Sequence, residues 1–117
     1  MKLVFFIFLG GGLGSVLRYF ISVFFESSNF PLATFLSNFL SCLFLVAILF
    51  FIEKFNINNN LKLFFSIGFC GGLSTFSTFS YETMYLFKTN QVYYALLNIV
   101  LSLLMCISVL YFLVKKL

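Results

Sequence analysis

The stretch FCGGLSTFSTF, Phe69 to Phe79, lies inside a run otherwise apolar enough to cross a bilayer, yet it holds glycines, four hydroxyls and evenly spaced phenylalanines. A helix facing only lipid has no use for them, because a buried polar group without a partner costs roughly 2 to 7 kcal/mol by transfer scales. The hydroxyls therefore imply a protein-lined interior. As a straight helix, Leu61 to Phe87 would extend about 40 Å, against a hydrocarbon core of about 30 Å, which leaves room for a break. GFCGG, Gly68 to Gly72, is where the break is expected. Glycine in a helix interior costs about 1 kcal/mol relative to Ala and tolerates unwound dihedrals. Unwinding frees carbonyls that survive at membrane depth only when buried in protein or satisfied by water or an ion. Glycines kept for close helix packing are the competing reading.

Working outward, the chain of 117 residues is 62% hydrophobic and 9% charged, too little polar surface for a soluble domain. Charged and turn-like stretches divide it into four apolar spans, Leu3 to Phe25, Pro31 to Ile52, Leu61 to Phe87 and Gln91 to Val114, each long enough to cross a bilayer. The linkers ESSNF and EKFNINNN are too short to fold alone, so residues 1–117 read as one all-α, four-helix membrane domain. The N-terminal MKLVFFIFLGGG begins as a secretory signal does. No small-x-small cleavage site precedes Arg18, however, and three spans follow, so an uncleaved first helix is expected. Cys42, Cys70 and Cys106 fall inside spans without CxxC spacing and read as small hydrophobes rather than disulfide or metal ligands.

With four spans, Lys2, Lys54, Lys62, Lys115 and Lys116 share one side and only Lys88 and Arg18 belong to the other, which favours cytoplasmic termini. The net charge of +4 reflects this topology and contact with anionic lipid. No basic run or aromatic-basic surface exists to track a phosphate backbone, so nucleic acid is not a partner. The absence of His and a total of three carboxylates leave no acid/base pair or metal cluster, which argues against an enzyme.

Polar residues inside the spans carry the functional information. In the first, GGGLGSVLRYF places Gly10/Gly14 and Gly11/Ser15 at a spacing that lets backbones approach, which fits a dimer contact. Arg18 either snorkels to the headgroups or sets a permanent positive charge beside an aqueous entrance. In the second, Thr34, Asn38 and Ser41 share one helical face, to bond a neighbouring helix or to offer donors to a desolvated species. In the third, the triplet repeat aligns Phe76 with Phe79, flanked by Ser74, Ser77 and Ser80 on one side and by Thr75 and Thr78 on the other. The positive edge of an aromatic ring can face an anion and hydroxyls can donate to it. Glu82, one turn on, is an intramembrane carboxylate and so a functional candidate. In the fourth, Asn98, Ser102 and Cys106 form a second stripe four residues apart. Four thin helices do not enclose a wide pore, so a pathway built from these stripes is expected between subunits.

GGGLGSVLRY, PLATFLSN, GFCGGLSTFSTFSYE and ALLN, in this order and at these separations, closely resemble the Fluc/CrcB fluoride channels across essentially the whole chain. The resemblance implies an antiparallel, dual-topology homodimer in the cell membrane, with a third helix broken mid-membrane. Two pores would pass F⁻ passively out of the cytoplasm, limiting its toxicity. A structural, untransported Na⁺ would sit at the dimer centre, held by the backbone carbonyls of Gly71 and Ser74. Phe76 and Phe79 would supply ring edges to the fluoride path, Asn38 an amide donor and Arg18 a positive vestibule, with Thr34, Thr78, Glu82, Asn98 and Ser102 lining or supporting it. The lysine bias leaves a paralogous partner subunit as the alternative to a second copy.

Small, strongly hydrated anions lose their water only where donors replace it at close quarters. A lining of hydroxyls, an amide and ring edges does so with few fixed charges to trap the ion. A four-helix proton-coupled exporter is a rival reading, but it would place its carboxylate on the first span, which carries Arg18 instead. A purely structural subunit would account for the glycines but not for the Phe/hydroxyl triplet.

Overall fold

A computed structural model describes residues 1–116, and Leu117, the last residue of the expected domain, lies outside the described residues. The described chain is all-helical: α1 Lys2–Phe24, α2 Leu32–Phe55, α3 Asn59–Leu63, a π-helical segment Phe64–Phe69, α4 Cys70–Leu73, α5 Phe76–Lys88 and α6 Val92–Val114. Four stretches are long and apolar enough to cross a membrane: Lys2–Phe24, Leu32–Phe55, Asn59–Lys88 and Val92–Val114. The second runs past the expected Ile52, through Glu53 and Lys54, and stops where Asn56 adopts the left-handed conformation (φ 47°, ψ 52°). Asn tolerates that region because its short polar side chain bonds locally. Asn90 (φ 59°) reverses the chain between α5 and α6 in the same way.

Glycine decides how the first and third spans meet. A Cβ on Gly10 would run into the Phe64 carbonyl and come within 2.9 Å of the Phe69 nitrogen. On Gly14 it would meet the Phe69 carbonyl and lie 2.8 Å from the Leu73 nitrogen. From the other side, a Cβ on Gly68 would lie 2.8 Å from the Ile7 carbonyl oxygen, and one on Gly72 would run into the Gly11 carbonyl. Two small-xxx-small faces thus interlock inside one chain, backbone against backbone. The first-span glycines at positions 10 and 14 are therefore used within the chain, which corrects the expectation that their spacing serves a dimer contact. Gly12 and Gly71 differ: a Cβ on either would meet nothing within 4 Å.

The backbone also departs from helix at a different place from the one expected. Gly71 and Gly72 remain within helical α4, and the extended residues are Ser74 (φ −79°, ψ 154°) and Thr75 (φ −153°, ψ 117°). The local reason is capping. Thr75 is the N-cap of α5, with its hydroxyl oxygen accepting the Thr78 N–H at 3.2 Å, and an N-cap residue takes β-region dihedrals. At the end of α4 the Ser74 N–H and hydroxyl both donate to the Cys70 carbonyl, at 3.0 and 2.9 Å.

The buried interior mixes Val46, Cys70, Leu73, Phe79, Leu86 and Ala95 with Thr34, Ser37, Ser41, Thr83, Asn98 and Ser102. In an apolar medium such polar groups need partners from within the protein. All but Ser37 find them, on α4, α5 or α6.

Candidate polar pathway

The face of α2 predicted from Thr34, Asn38 and Ser41 points at α4, α5 and the junction between them. Asn38 holds Thr75 from both sides of its amide: its Oδ1 accepts the Thr75 N–H at 2.7 Å, and its Nδ2 donates to the Thr75 carbonyl at 3.3 Å. The extended residue thus has its backbone satisfied by a side chain on another helix. A primary amide has two N–H donors, so the second remains for the adjoining cleft. Ser41 donates to the Cys70 carbonyl at 2.7 Å, and Arg18 Nε from α1 donates to the Gly72 carbonyl at 3.1 Å. Two carbonyls of α4, those of Cys70 and Gly72, thus accept side chains from neighbouring helices.

Two clefts meet at Thr75. One, of about 310 Å³, is lined by Arg18, Thr34, Ser37, Thr78 and Glu82. The other, of about 240 Å³, is lined by Asn38, Ser74, Phe76, Phe79 and Ser102 together with Cys42 and Cys106. Thr75 lines both. In the first, Thr34 donates to Glu82 Oε1 at 2.9 Å, while Glu82 Oε2 and the hydroxyl of Ser37, itself 0% exposed, are buried without a protein partner. Orphaned buried polar atoms in a cleft call for water or an ion. In the second, Phe79 is 9% exposed and Phe76 76%, with ring centroids 5.7 Å apart, so one ring is set in the chain and the other projects from it.

The sequence-predicted residues thus separate into groups. Arg18, Thr34, Thr78 and Glu82 share one cleft, and Asn38, Phe76, Phe79 and Ser102 share the other. Asn98 lines neither of the two. It is 0% exposed, donates to the Thr83 hydroxyl at 2.9 Å and accepts from Ser102 at 3.2 Å, tying α5 to α6. Thr83 passes the chain on to the Phe79 carbonyl at 2.7 Å. Ser37 and Thr83 were not singled out in the sequence. Ser37 sits three residues past Thr34, and Thr83 one turn past Phe79, so helical spacing alone marks both. Among the described residues, the carbonyls of Gly71 and Ser74 accept no backbone hydrogen bond outside the helices and none from a side chain. Gly71 is also exposed.

Four helical stretches of bilayer length, with amide, hydroxyl, carboxylate and aromatic groups lining clefts between them, define a polytopic membrane protein. Residues 5–113 match the family model described as CrcB-like protein, Camphor Resistance (CrcB). Relatives bearing the name fluoride-specific ion channel FluC include three from different organisms. That of Flavobacterium psychrophilum is 44% identical over 87% of this chain and 86% of the relative. That of Pyrococcus abyssi is 38% identical over 95% and 92%, and that of Campylobacter fetus 41% over 93% and 88%. The chain belongs to the CrcB family, whose named relatives are ion channels and not enzymes.

Proposed function

We propose that this chain is a fluoride-selective channel of the cell membrane, working as an antiparallel pair of identical subunits and passing F⁻ passively out of the cytoplasm. The observation that carries the reading is the meeting of two clefts at Thr75. One offers Arg18 as an attracting charge, and the other offers ring edges, the spare Asn38 amide proton and hydroxyls. An anion drawn toward Arg18 passes from a vestibule that holds water to a neutral lining that substitutes for its shell. Because that lining carries no fixed positive charge, the ion leaves again. Phe76 projects from the chain, and on this reading it completes the lining against a second copy. On this reading Ser74 and Thr75 break the third span at membrane depth, and Asn38 makes the break affordable by satisfying Thr75. Asn98 acts as a support through Thr83 and Ser102 rather than as a lining group.

A structural Na⁺ fits the residues present. Gly71 is exposed with open space beside its Cα, and its carbonyl and that of Ser74 are not consumed by the hydrogen bonds described above. Carbonyl oxygens are ligands for a hard cation. These two groups from each subunit would hold it, and the ion would supply charge that pins two helix breaks together. A paralogous subunit in place of the second copy would keep the same arrangement.

The test is ion efflux from liposomes containing the purified protein, started by valinomycin in a potassium gradient. Rapid loss of fluoride with chloride retained is expected. Retention of fluoride, or equal loss of the two ions, would remove the proposal.

A further inference from the structure

The structure divides the three cysteines, which the sequence groups together. Cys70 is buried at 4% exposure beneath the Ser41 contact, whereas Cys42 of α2 and Cys106 of α6 are each half-buried. Cys42 and Cys106 face one another across the α2–α6 seam, near enough for their thiols to interact. Both line the 240 Å³ cleft beside Phe79 and Ser102. The two thiols are therefore gathered at one cleft and reachable from it.

We propose that Cys42 and Cys106 form a two-thiol site for a single soft cation that accepts linear coordination, of the Cu⁺, Ag⁺ or Hg²⁺ class. Thiolate sulfur selects such ions over the hard cations that carbonyls and hydroxyls prefer. Among the described residues no group of three or more His, Cys, Asp or Glu gathers to hold a metal, so the tetrahedral donor set of a structural zinc is not available at these thiols. Two opposed sulfurs suffice for a d¹⁰ ion in two-coordination. A cysteine reaches its sulfur through one rotatable bond, so opening the thiol contact to admit an ion needs only χ1 adjustments. With Hg²⁺ the step is two thiols plus one ion giving S–Hg–S and two released protons, with no change of oxidation state. The adduct is neutral, which suits apolar surroundings that penalise a buried charge.

One consequence rests on the proposed function: an ion held there narrows the cleft assigned to fluoride. The test loads the full-length protein with one equivalent of HgCl₂, challenges it with excess glutathione as a monothiol competitor, and measures the metal retained per chain. Wild type and Cys70→Ser are expected to retain about one ion per chain, and Cys42→Ser and Cys106→Ser to lose it at about tenfold lower glutathione or less. In wild type alone, the ultraviolet thiolate-to-mercury absorption is expected to saturate at one equivalent, which needs no variant to fold. Equal retention in the Cys42 or Cys106 variants, or loss of retention on changing only Cys70, would overturn the site. Fluoride efflux from the same samples separates the two proposals. A fall of about tenfold or more on loading, reversed by a dithiol, supports both. Retained mercury with unaltered efflux leaves the thiol site standing and removes the cleft from the conduit.

Discussion

Replacing Asn38 probes the junction on which both clefts depend. In Asn38→Ala the Thr75 N–H loses its acceptor at 2.7 Å and the Thr75 carbonyl loses its donor at 3.3 Å. An orphaned buried N–H costs about 1–3 kcal/mol, and the longer bond adds up to about 1 kcal/mol. The total, about 1–4 kcal/mol, corresponds to a roughly five- to thousandfold shift from the clamped toward the released junction. Hydrogen exchange resolved to the Thr75 amide reads that shift directly, and liposome efflux reads its consequence. Asn38→Asp separates the two roles of the side chain. It keeps an acceptor for the Thr75 N–H, so much of the protection is expected to survive, but it sets a carboxylate against both the Thr75 carbonyl and a passing anion, so fluoride efflux is expected to fall. Wild-type exchange at Thr75 in Asn38→Ala would refute the clamp, whatever the efflux does.

Other substitutions test the packing around this junction. Gly14→Ala drives a Cβ into the Phe69 carbonyl and is expected to destabilise the chain by about 1–3 kcal/mol despite the gain in helix propensity. Gly12→Ala, with nothing within 4 Å, is expected to be neutral or stabilising in the same denaturation series. Gly71→Leu also enters open space, so the helical content and melting of the chain are expected to hold while the pair dissociates on size-exclusion chromatography; an intact dimer would count against the carbonyl-lined centre. Thr83→Val removes the acceptor of the fully buried Asn98 amide, at an expected cost of about 1–3 kcal/mol in unfolding free energy.

The helices were readable because apolar runs of bilayer length, bounded by charges and asparagines, leave little alternative in lipid. The α2 stripe was readable because helical periodicity fixes which residues share a face, and Thr34, Asn38 and Ser41 do point the same way, at Glu82, Thr75 and Cys70. Periodicity does not name the neighbour. The spacing of Gly10 and Gly14 therefore suggested a second subunit, whereas they meet Phe64, Phe69 and Leu73 of the same chain. Propensity marked GFCGG as the weak point, but its glycines stay helical, Gly68 and Gly72 packed closely against α1 and Gly71 facing open space. The extended residues are a serine and a capping threonine, whose hydrogen bonds to Cys70 and Asn38 lie outside any propensity argument. Asn98 is expected to line or support the path, and spacing alone does not show that its partner, Thr83, sits on a different helix. The Cys42–Cys106 contact was invisible for the same reason: their separation along the chain carries no sign that α2 and α6 pack together.

The most direct measurement is the reversal potential of the purified wild-type protein in a planar bilayer with fluoride and chloride gradients opposed. A channel built on an amide, hydroxyl and aromatic lining that replaces the shell of the smaller anion sets that potential at the fluoride equilibrium value. A potential that follows chloride, or the accompanying cation, contradicts it.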